Sequence, residues 1–276
     1  ALLLLRYMNC EFHGVEKETI LKLYYKDSNC VVAQGDCLEV MTKMAEKGLK
    51  FDAVITDPPY GTTACKWDTV IPFDKMWECL LNLRKDINSS IILFGRQPFF
   101  SNLVCSNEKI FRYEIIWDKN AGTDFAQANN KPITIHENIA IFNEGKIRYN
   151  RIDDEGFEPY SDKRTQKKNS ELGAKGLLTR IPFENKTTRT PTTIRRYFPD
   201  NRKGLGTSLH PTQKPLELME WIVGSYTNEG DTILDFTCGS GTTLVASKKL
   251  NRKCYGIELE EKYCEVTKNR LLEVTQ

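Results

Sequence analysis

The sequence predicts an α/β protein built on one doubly wound, mostly parallel sheet. Three observations carry that expectation. Strand-like and helix-like segments alternate on both sides of a basic central stretch. Two of the strands run straight into loops of unusual composition, Asp57-Pro-Pro-Tyr60 and Asp235-Phe-Thr-Cys-Gly-Ser-Gly241. The chain, at 276 residues, is long enough for one large domain with a smaller insertion.

The alternation begins at Cys30-Val-Val-Ala-Gln, a short apolar run closed by Gly35-Asp36, with a helix following over Leu38 to Lys47. Phe51 to Thr56 is a second strand. Apolar residues at helical spacing then give a helix over Phe73 to Arg84, leading to the strand Ser90 to Gly95. Arg112 to Trp117 and Asn138 to Phe142, rich in Ile and aromatics, are two more strands. Beyond the basic stretch, Pro215 precedes a helix carrying Leu216, Met219, Ile222 and Val223 on one face. The strand Thr232 to Asp235, a glycine loop, a helix from Thr242 to Leu250, the strand Lys253 to Glu258 and a helix over Glu261 to Leu272 complete the order.

The stretch from 143 to 209 is different. It carries 15 Lys/Arg against 9 Asp/Glu in a chain whose formal net charge is only +2, so the remainder is net negative. Gly156, Gly173, Gly176, Pro159, Pro182, Pro191 and Pro199 interrupt it, and no apolar period is sustained. It is expected to be a loop-rich insertion; the bland alternative is a solvated surface excursion. Nine cysteines, an odd number without a C-x-x-C pair, suggest neither a disulfide framework nor a zinc ribbon. The apolar run Leu2 to Leu5 is too short for a signal core or a membrane span. The expectation is a soluble, reduced, cytoplasmic protein without a membrane partner.

Two loops carry the chemistry. A glycine turn between a strand and a helix lets backbone approach a ligand, and an acidic residue about 20 positions on, here Glu258, can accept both hydroxyls of a ribose. No third glycine and no Walker lysine follows, so the loop suits an adenosine with an attached amino acid better than a pyrophosphate; a tight turn without a ligand is the plain alternative. In Asp57-Pro58-Pro59-Tyr60 the prolines stiffen the turn and fix where the Pro58 carbonyl points, Asp57 is an anionic acceptor, and Tyr60 is a flat stacking surface. Such a turn suits a planar ring bearing an amino group, although an isolated Pro-Pro pair is more often just a strand terminator.

Together with His210-Pro-Thr-Gln-Lys-Pro215 and Gly256-Ile-Glu258, these loops make the chain resemble the amino-group DNA methyltransferases, which methylate adenine N6 or cytosine N4 with S-adenosylmethionine. The order, catalytic motif first and cofactor loop last, is that of the β group, and the run from Asp57 to Asp68 is especially like phage-type and bacterial members. The family's usual Asp-Pro-Phe is here Asp235-Phe236-Thr237, with the aromatic one position early.

The resemblance implies a Rossmann-like, seven-stranded methyltransferase sheet in circularly permuted order. The Cys30 strand would fill the slot beside Glu258, and Asp36 would face the cofactor adenine. It implies an N-terminal extension over 1–28, a catalytic half over 29–142, a target-recognition insertion over 143–209 and a cofactor-binding half over 210–276. The cofactor would be held by Asp36, Thr212, Lys214, Asp235, Phe236, Cys238, Gly239, Ser240, Gly241, Thr242 and Glu258.

Asp57, Pro58, Pro59 and Tyr60 would be catalytic: Asp57 and the Pro58 carbonyl draw both amino N–H bonds out of the ring plane, and Tyr60 stacks on a base flipped from the duplex. Phosphate contacts are expected from Lys163, Arg164, Lys167, Lys168, Arg195 and Arg196, and Lys66 and Trp67 would border the DNA cleft. The three histidines, His13, His136 and His210, are too dispersed for a metal site, so none is expected.

The reading is therefore a site-specific adenine-N6 DNA methyltransferase of restriction-modification type acting on double-stranded DNA. Asp rather than Ser at position 57 favours adenine, by resemblance only. Cytosine-N4 methylation, RNA adenine-N6 methylation and a non-catalytic DNA-binding homologue stand as alternatives, and a homodimer is one assembly open to the chain.

Overall fold

A computed structural model describes residues 22–62, 68–123, 125–162, 183–199 and 213–274. The strands in chain order are β1 (Lys22–Lys26), β2 (Cys30–Gln34), β3 (Ala53–Thr56), β4 (Ser90–Gly95), β5 (Phe111–Thr123), β6 (Thr134–Phe142), β7 (Tyr160–Asp162), β8 (Phe183–Lys186), β9 (Ile194–Arg196), β10 (Thr232–Asp235) and β11 (Lys253–Glu258). The helices are α1 (Cys37–Glu46), α2 (Phe73–Leu83), α3 (Phe99–Ser106), α4 (Leu216–Tyr226), α5 (Thr242–Lys249) and α6 (Glu261–Glu273). The chain divides into two compact units, Ala1–Asn150 with Thr193–Gln276, and Arg151–Thr192.

The first unit holds a nine-stranded sheet of order β1-β2-β11-β10-β3-β4-β6-β5-β9. From β2 to β4 every pair is parallel, while β6 runs antiparallel to both β4 and β5. The seven strands from β2 to β5 are the methyltransferase sheet that the resemblance implies; β1 and β9 extend its two edges. Cys30 lies opposite Cys254 and Gln34 opposite Glu258, so the N-terminal strand does occupy the slot beside β11.

The two-residue period of a strand explains the layering. Val54, Ile91 and Leu93 point to one face, against α1, α2 and α3, whereas Ala53, Ile55, Ile92 and Phe94 point to the other, against α4. Each fully buried Ile or Leu contributes about 1.5–3 kcal/mol. A one-residue slip would exchange the two faces of a strand, and the register is fixed accordingly.

The site follows from the crossovers. α2 carries the chain from β3 out to β4, and α5 carries it from β10 the other way to β11, so adjacent β3 and β10 send their C-terminal loops apart. A crevice opens at such a switch point. Asp57 follows β3 directly, and Asp235 ends β10.

Three elements go beyond the sequence reading. Within the stretch expected as an N-terminal extension, Lys22–Lys26 forms β1, antiparallel to β2. The turn between them is set by Asp27, whose Oδ1 accepts from the backbone N–H of Asn29 (2.8 Å) and Cys30 (2.6 Å). Helix α3 packs Phe99, Phe100 and Leu103 into the core. The ends of the basic stretch belong to the sheet's own unit: the Asn150 N–H donates to the Ser225 carbonyl at 2.7 Å, and β9 pairs parallel with β5.

The smaller unit pairs β7 with β8 in antiparallel fashion. Its Arg189 guanidinium lies over the Tyr160 ring at 3.3 Å and over Phe157 at 4.9 Å. No helix among the described residues is long and apolar enough to cross a membrane.

Candidate active site

The glycine loop is shaped by what packs around it. Gly241 caps α5 in the left-handed region (φ 76°), and a Cβ there would stand 2.5 Å from Thr267 of α6. Gly256 on β11 is equally confined, since a Cβ would meet Leu244 at 2.6 Å and the Cys238 sulfur at 2.9 Å. Helix α6 pins the loop from behind: Thr267 Oγ1 donates to the Gly239 carbonyl (2.8 Å), and Arg270 donates to the Ser240 carbonyl (2.6 Å) and to Thr242 Oγ1 (3.0 Å). Glu258 accepts from the N–H of Gly239 (2.9 Å) and of Glu260 (2.7 Å).

The β3 loop is tied to this one by two threonines. Thr56 Oγ1 donates to Asp235 Oδ1 at 2.6 Å, and Thr237 Oγ1 donates to the Asp57 carbonyl at 3.1 Å, the two hydroxyls lying 2.7 Å apart. Thr237 stands where the family usually has an aromatic, and Phe236 is fully buried beside it. Past Tyr60 the chain is held by Asp68, whose carboxylate accepts from the N–H of Gly61 (2.8 Å) and Thr62 (2.9 Å). The Tyr60 ring packs on Phe99 with centroids 5.1 Å apart, and its hydroxyl donates to Asp57 Oδ1.

Asp57 is the end of a buried chain of charges. Lys214 Nζ contacts Asp57 Oδ2 and lies 3.4 Å from Glu137 Oε2, while Lys119 Nζ donates to Glu137 Oε1 at 3.0 Å. Both lysines are buried, at 7% and 6% exposure, so each ammonium depends on its carboxylates rather than on water. Burial pushes the Asp57 carboxyl above its usual range, against the pull of Lys214. Glu137 is also raised by burial, but Lys214 and Lys119 together hold it below its ordinary value. Asp235 is pushed up to about 6 by burial, which outweighs its hydrogen bonds from Thr243, Thr56 and the Thr237 N–H. Burial likewise raises Glu258, and it lifts the Cys238 thiol well above its ordinary value, so Cys238 serves as packing rather than as a nucleophile.

These loops enclose a cavity of about 330 Å³. Asp57, Pro58, Pro59, Tyr60, Lys214, Asp235, Phe236, Cys238, Gly239, Ser240, Thr242 and Glu258 all line it, as the sequence reading groups them. Asp36 lies at its rim, where Oδ1 accepts from the N–H of Leu38 (2.9 Å) and Glu39 (3.1 Å) and caps α1. Gly241 shapes the loop from its far side. Carboxylates at Glu258 and Asp235 on the cavity wall suit an adenosine carrying an amino-acid tail, as acceptors for hydroxyls and for an ammonium.

The expected DNA contacts fare differently. Lys66, Trp67, Lys163, Arg164, Lys167 and Lys168 lie outside the described residues, as does Thr212. Arg196 is exposed and paired with Asp118 at 2.8 Å. Arg195 is a correction: it is buried at 7% exposure, with its guanidinium 4.5 Å over Trp221 and bonded to the Tyr197 hydroxyl at 3.2 Å. A phosphate cannot reach a side chain packed there. Among the described residues no cluster of three or more His, Cys, Asp or Glu is placed to hold a metal.

The chain is similar to known methyltransferases. The model of the N6 and N4 methylases, described as DNA methylase, matches residues 51–269. The type II methyltransferase M1.MboII of Moraxella bovis is 28% identical over 249 residues, spanning 84% of this chain and 92% of that protein. Among solved structures, the M1.HpyAVI–SAM complex superposes with a TM-score of 0.59 at 26% identity, covering 87% of this chain and 99% of that one. The PvuII DNA methyltransferase, which is cytosine-N4-specific, superposes with a TM-score of 0.60 at 15% identity over 93% of this chain and 91% of that one, a likeness of fold.

Proposed function

The chain belongs to the N6/N4 DNA methylase family, and from that premise we propose that it methylates the N6 amino group of an adenine flipped out of a specific duplex sequence. Its cofactor is S-adenosylmethionine, which supplies an electrophilic methyl group on a sulfonium. In this reading Glu258 takes the ribose hydroxyls, Asp235 the methionine end and Asp36 the adenine; all three line the one cavity.

The chain's own residues do the rest. An exocyclic amino nitrogen is a weak nucleophile because its lone pair is delocalised into the ring. Asp57 and the Pro58 carbonyl accept its two N–H bonds, turn the lone pair out of the plane and aim it along the cavity. Tyr60, held between Phe99 and Asp57, offers the ring face on which the flipped base stacks. Positioning and preorganised acceptors supply most of the acceleration, and no covalent enzyme intermediate is needed.

The observation that carries this reading is that Asp57 borders the same cavity as Asp235 and Glu258, with the two loops bonded to each other through Thr56 and Thr237. Cytosine-N4 methylation needs the same acceptors, and the fold likeness to a cytosine-N4 enzyme keeps it as the second reading. For the stretch 143–209, the reading is target selection, with Lys163, Arg164, Lys167 and Lys168 on phosphates.

The test is Asp57→Ala in a single-turnover transfer assay with calorimetry of cofactor binding. Transfer is expected to fall by about two orders of magnitude or more while cofactor affinity holds. Near-normal transfer would remove Asp57 from catalysis.

A further inference from the structure

The pair Glu137 and Lys119 belongs to none of the motifs, yet it forms the inner end of the charge chain that stops at Asp57. Both carboxylate oxygens of Asp57 are engaged, Oδ1 by the Tyr60 hydroxyl and Oδ2 by Lys214. A target amino group that docks on Asp57 competes with that ammonium. Lys214 is buried, with its Nζ 5.2 Å from the Phe94 ring centroid, and a buried ammonium that loses its only carboxylate is strongly disfavoured. A second carboxylate removes the difficulty. Glu137 Oε2 is 3.4 Å from Lys214 Nζ, and its other oxygen is anchored on Lys119, itself 5.6 Å over the Trp117 ring. Two anions and two cations thus stand in line, so the lysine can move between carboxylates without itself losing an anionic partner.

We propose that Glu137 is a positioning residue that shares the Lys214 ammonium with Asp57 and takes it over when the target amino group docks on Asp57. This rests on Asp57 being the amino acceptor, and it holds for adenine and cytosine alike. Lys119 fixes Glu137 at the distance where the hand-over needs no rearrangement of β5 or β6. The groups facing Asp57 are Lys214 from the segment before α4, Glu137 from β6, Tyr60 from its own loop and Asp235 from β10, with Asp68 beyond Tyr60. Glu137 raises the Asp57 carboxyl, and Lys214 lowers it.

The experiment measures single-turnover methyl transfer against pH for Glu137→Gln, Glu137→Asp, Lys119→Met and Asp57→Ala, with calorimetry of S-adenosylmethionine binding and a melting curve for each. Glu137→Gln is expected to lower the rate about tenfold or more, leave cofactor affinity unchanged and move the acid limb to lower pH, because an anion that raises Asp57 has gone. Glu137→Asp keeps the charge and should restore part of the rate with the limb at its original place. Lys119→Met removes a cation and should move the limb the opposite way, which no general loss of folding would do. A wild-type rate in Glu137→Gln, or a slower rate with an unmoved limb and a lowered melting temperature, overturns the proposal. If Asp57→Ala is inactive while Glu137→Gln is normal, the sharing alone is wrong; if Asp57→Ala is active, the acceptor reading falls and this inference with it.

Discussion

Asp235 lines the cavity, and its burial there works against the fold. Its carboxyl is 3% exposed and is pushed from 3.8 to about 6, with burial as the leading cause. A carboxyl raised in the folded state opposes folding wherever the unfolded chain has already ionised. The cost is absent below about pH 3.8, grows between that value and about 6, and is full above it. At ~1.4 kcal/mol per pKa unit, ionised Asp235 destabilises the folded chain by about 3 kcal/mol at neutral pH. Asn has the same shape, and its Oδ1 keeps the donors Thr56 Oγ1 (2.6 Å) and the Thr237 N–H (3.3 Å), while the Thr243 hydroxyl can turn to accept from the new amide. Asp235→Asn should therefore stabilise the cofactor-free protein by about 1–3 kcal/mol above pH ~7, with the gain vanishing below pH ~4. Urea denaturation of both proteins across that pH range measures it. A variant less stable than the parent at neutral pH, or a difference independent of pH, would refute the reasoning.

The same loops yield further expectations. Glu258→Ala removes a charged acceptor worth about 1.5–3 kcal/mol, so the dissociation constant for S-adenosylmethionine should rise about tenfold or more by calorimetry. Gly241→Ala places a Cβ 2.5 Å from Thr267 at φ 76°, and a loss of about 1–3 kcal/mol in denaturation is expected, together with weaker cofactor binding. Neutralising Lys163, Arg164, Lys167 and Lys168 together should weaken duplex binding and flatten its dependence on salt while cofactor affinity stays unchanged. Arg195→Ala should behave in the opposite way, lowering the melting temperature with the salt slope intact, because its guanidinium packs on Trp221.

Much of this was legible because parallel strands and their loops write themselves plainly. β2, β3, β4 and β10 are short apolar runs that end in Gly, Asp or Pro, β11 ends in Glu258, and the loops at their ends hold nearly all the residues that line the cavity. What escaped has physical reasons. Adjacent arginines look like one cationic patch, but neighbours on a strand face opposite sides, so Arg195 turns inward on Trp221 while Arg196 meets Asp118 outside.

Glu137 and Lys119 stand just past the ends of the predicted strands, Asn138 to Phe142 and Arg112 to Trp117. β5 and β6 extend through both residues as a longer hairpin. Charged side chains at such positions resemble loop residues until the pairing is known. Helix α3 is eight residues long and follows a proline, too short for its period to stand out. Thr267 and Arg270 belong to no motif, and their bonds to the Gly239 and Ser240 carbonyls exist only once α6 is folded against the loop.

Nucleoside composition of a methylated duplex tests the central claim most directly. DNA treated with the protein and S-adenosylmethionine, digested and separated by mass, should contain N6-methyladenine confined to one sequence context, and none should appear with Asp57→Ala. N4-methylcytosine in its place would contradict the assignment of adenine, and N6-methyladenine formed equally well by Asp57→Ala would contradict the chemistry assigned to the β3 loop.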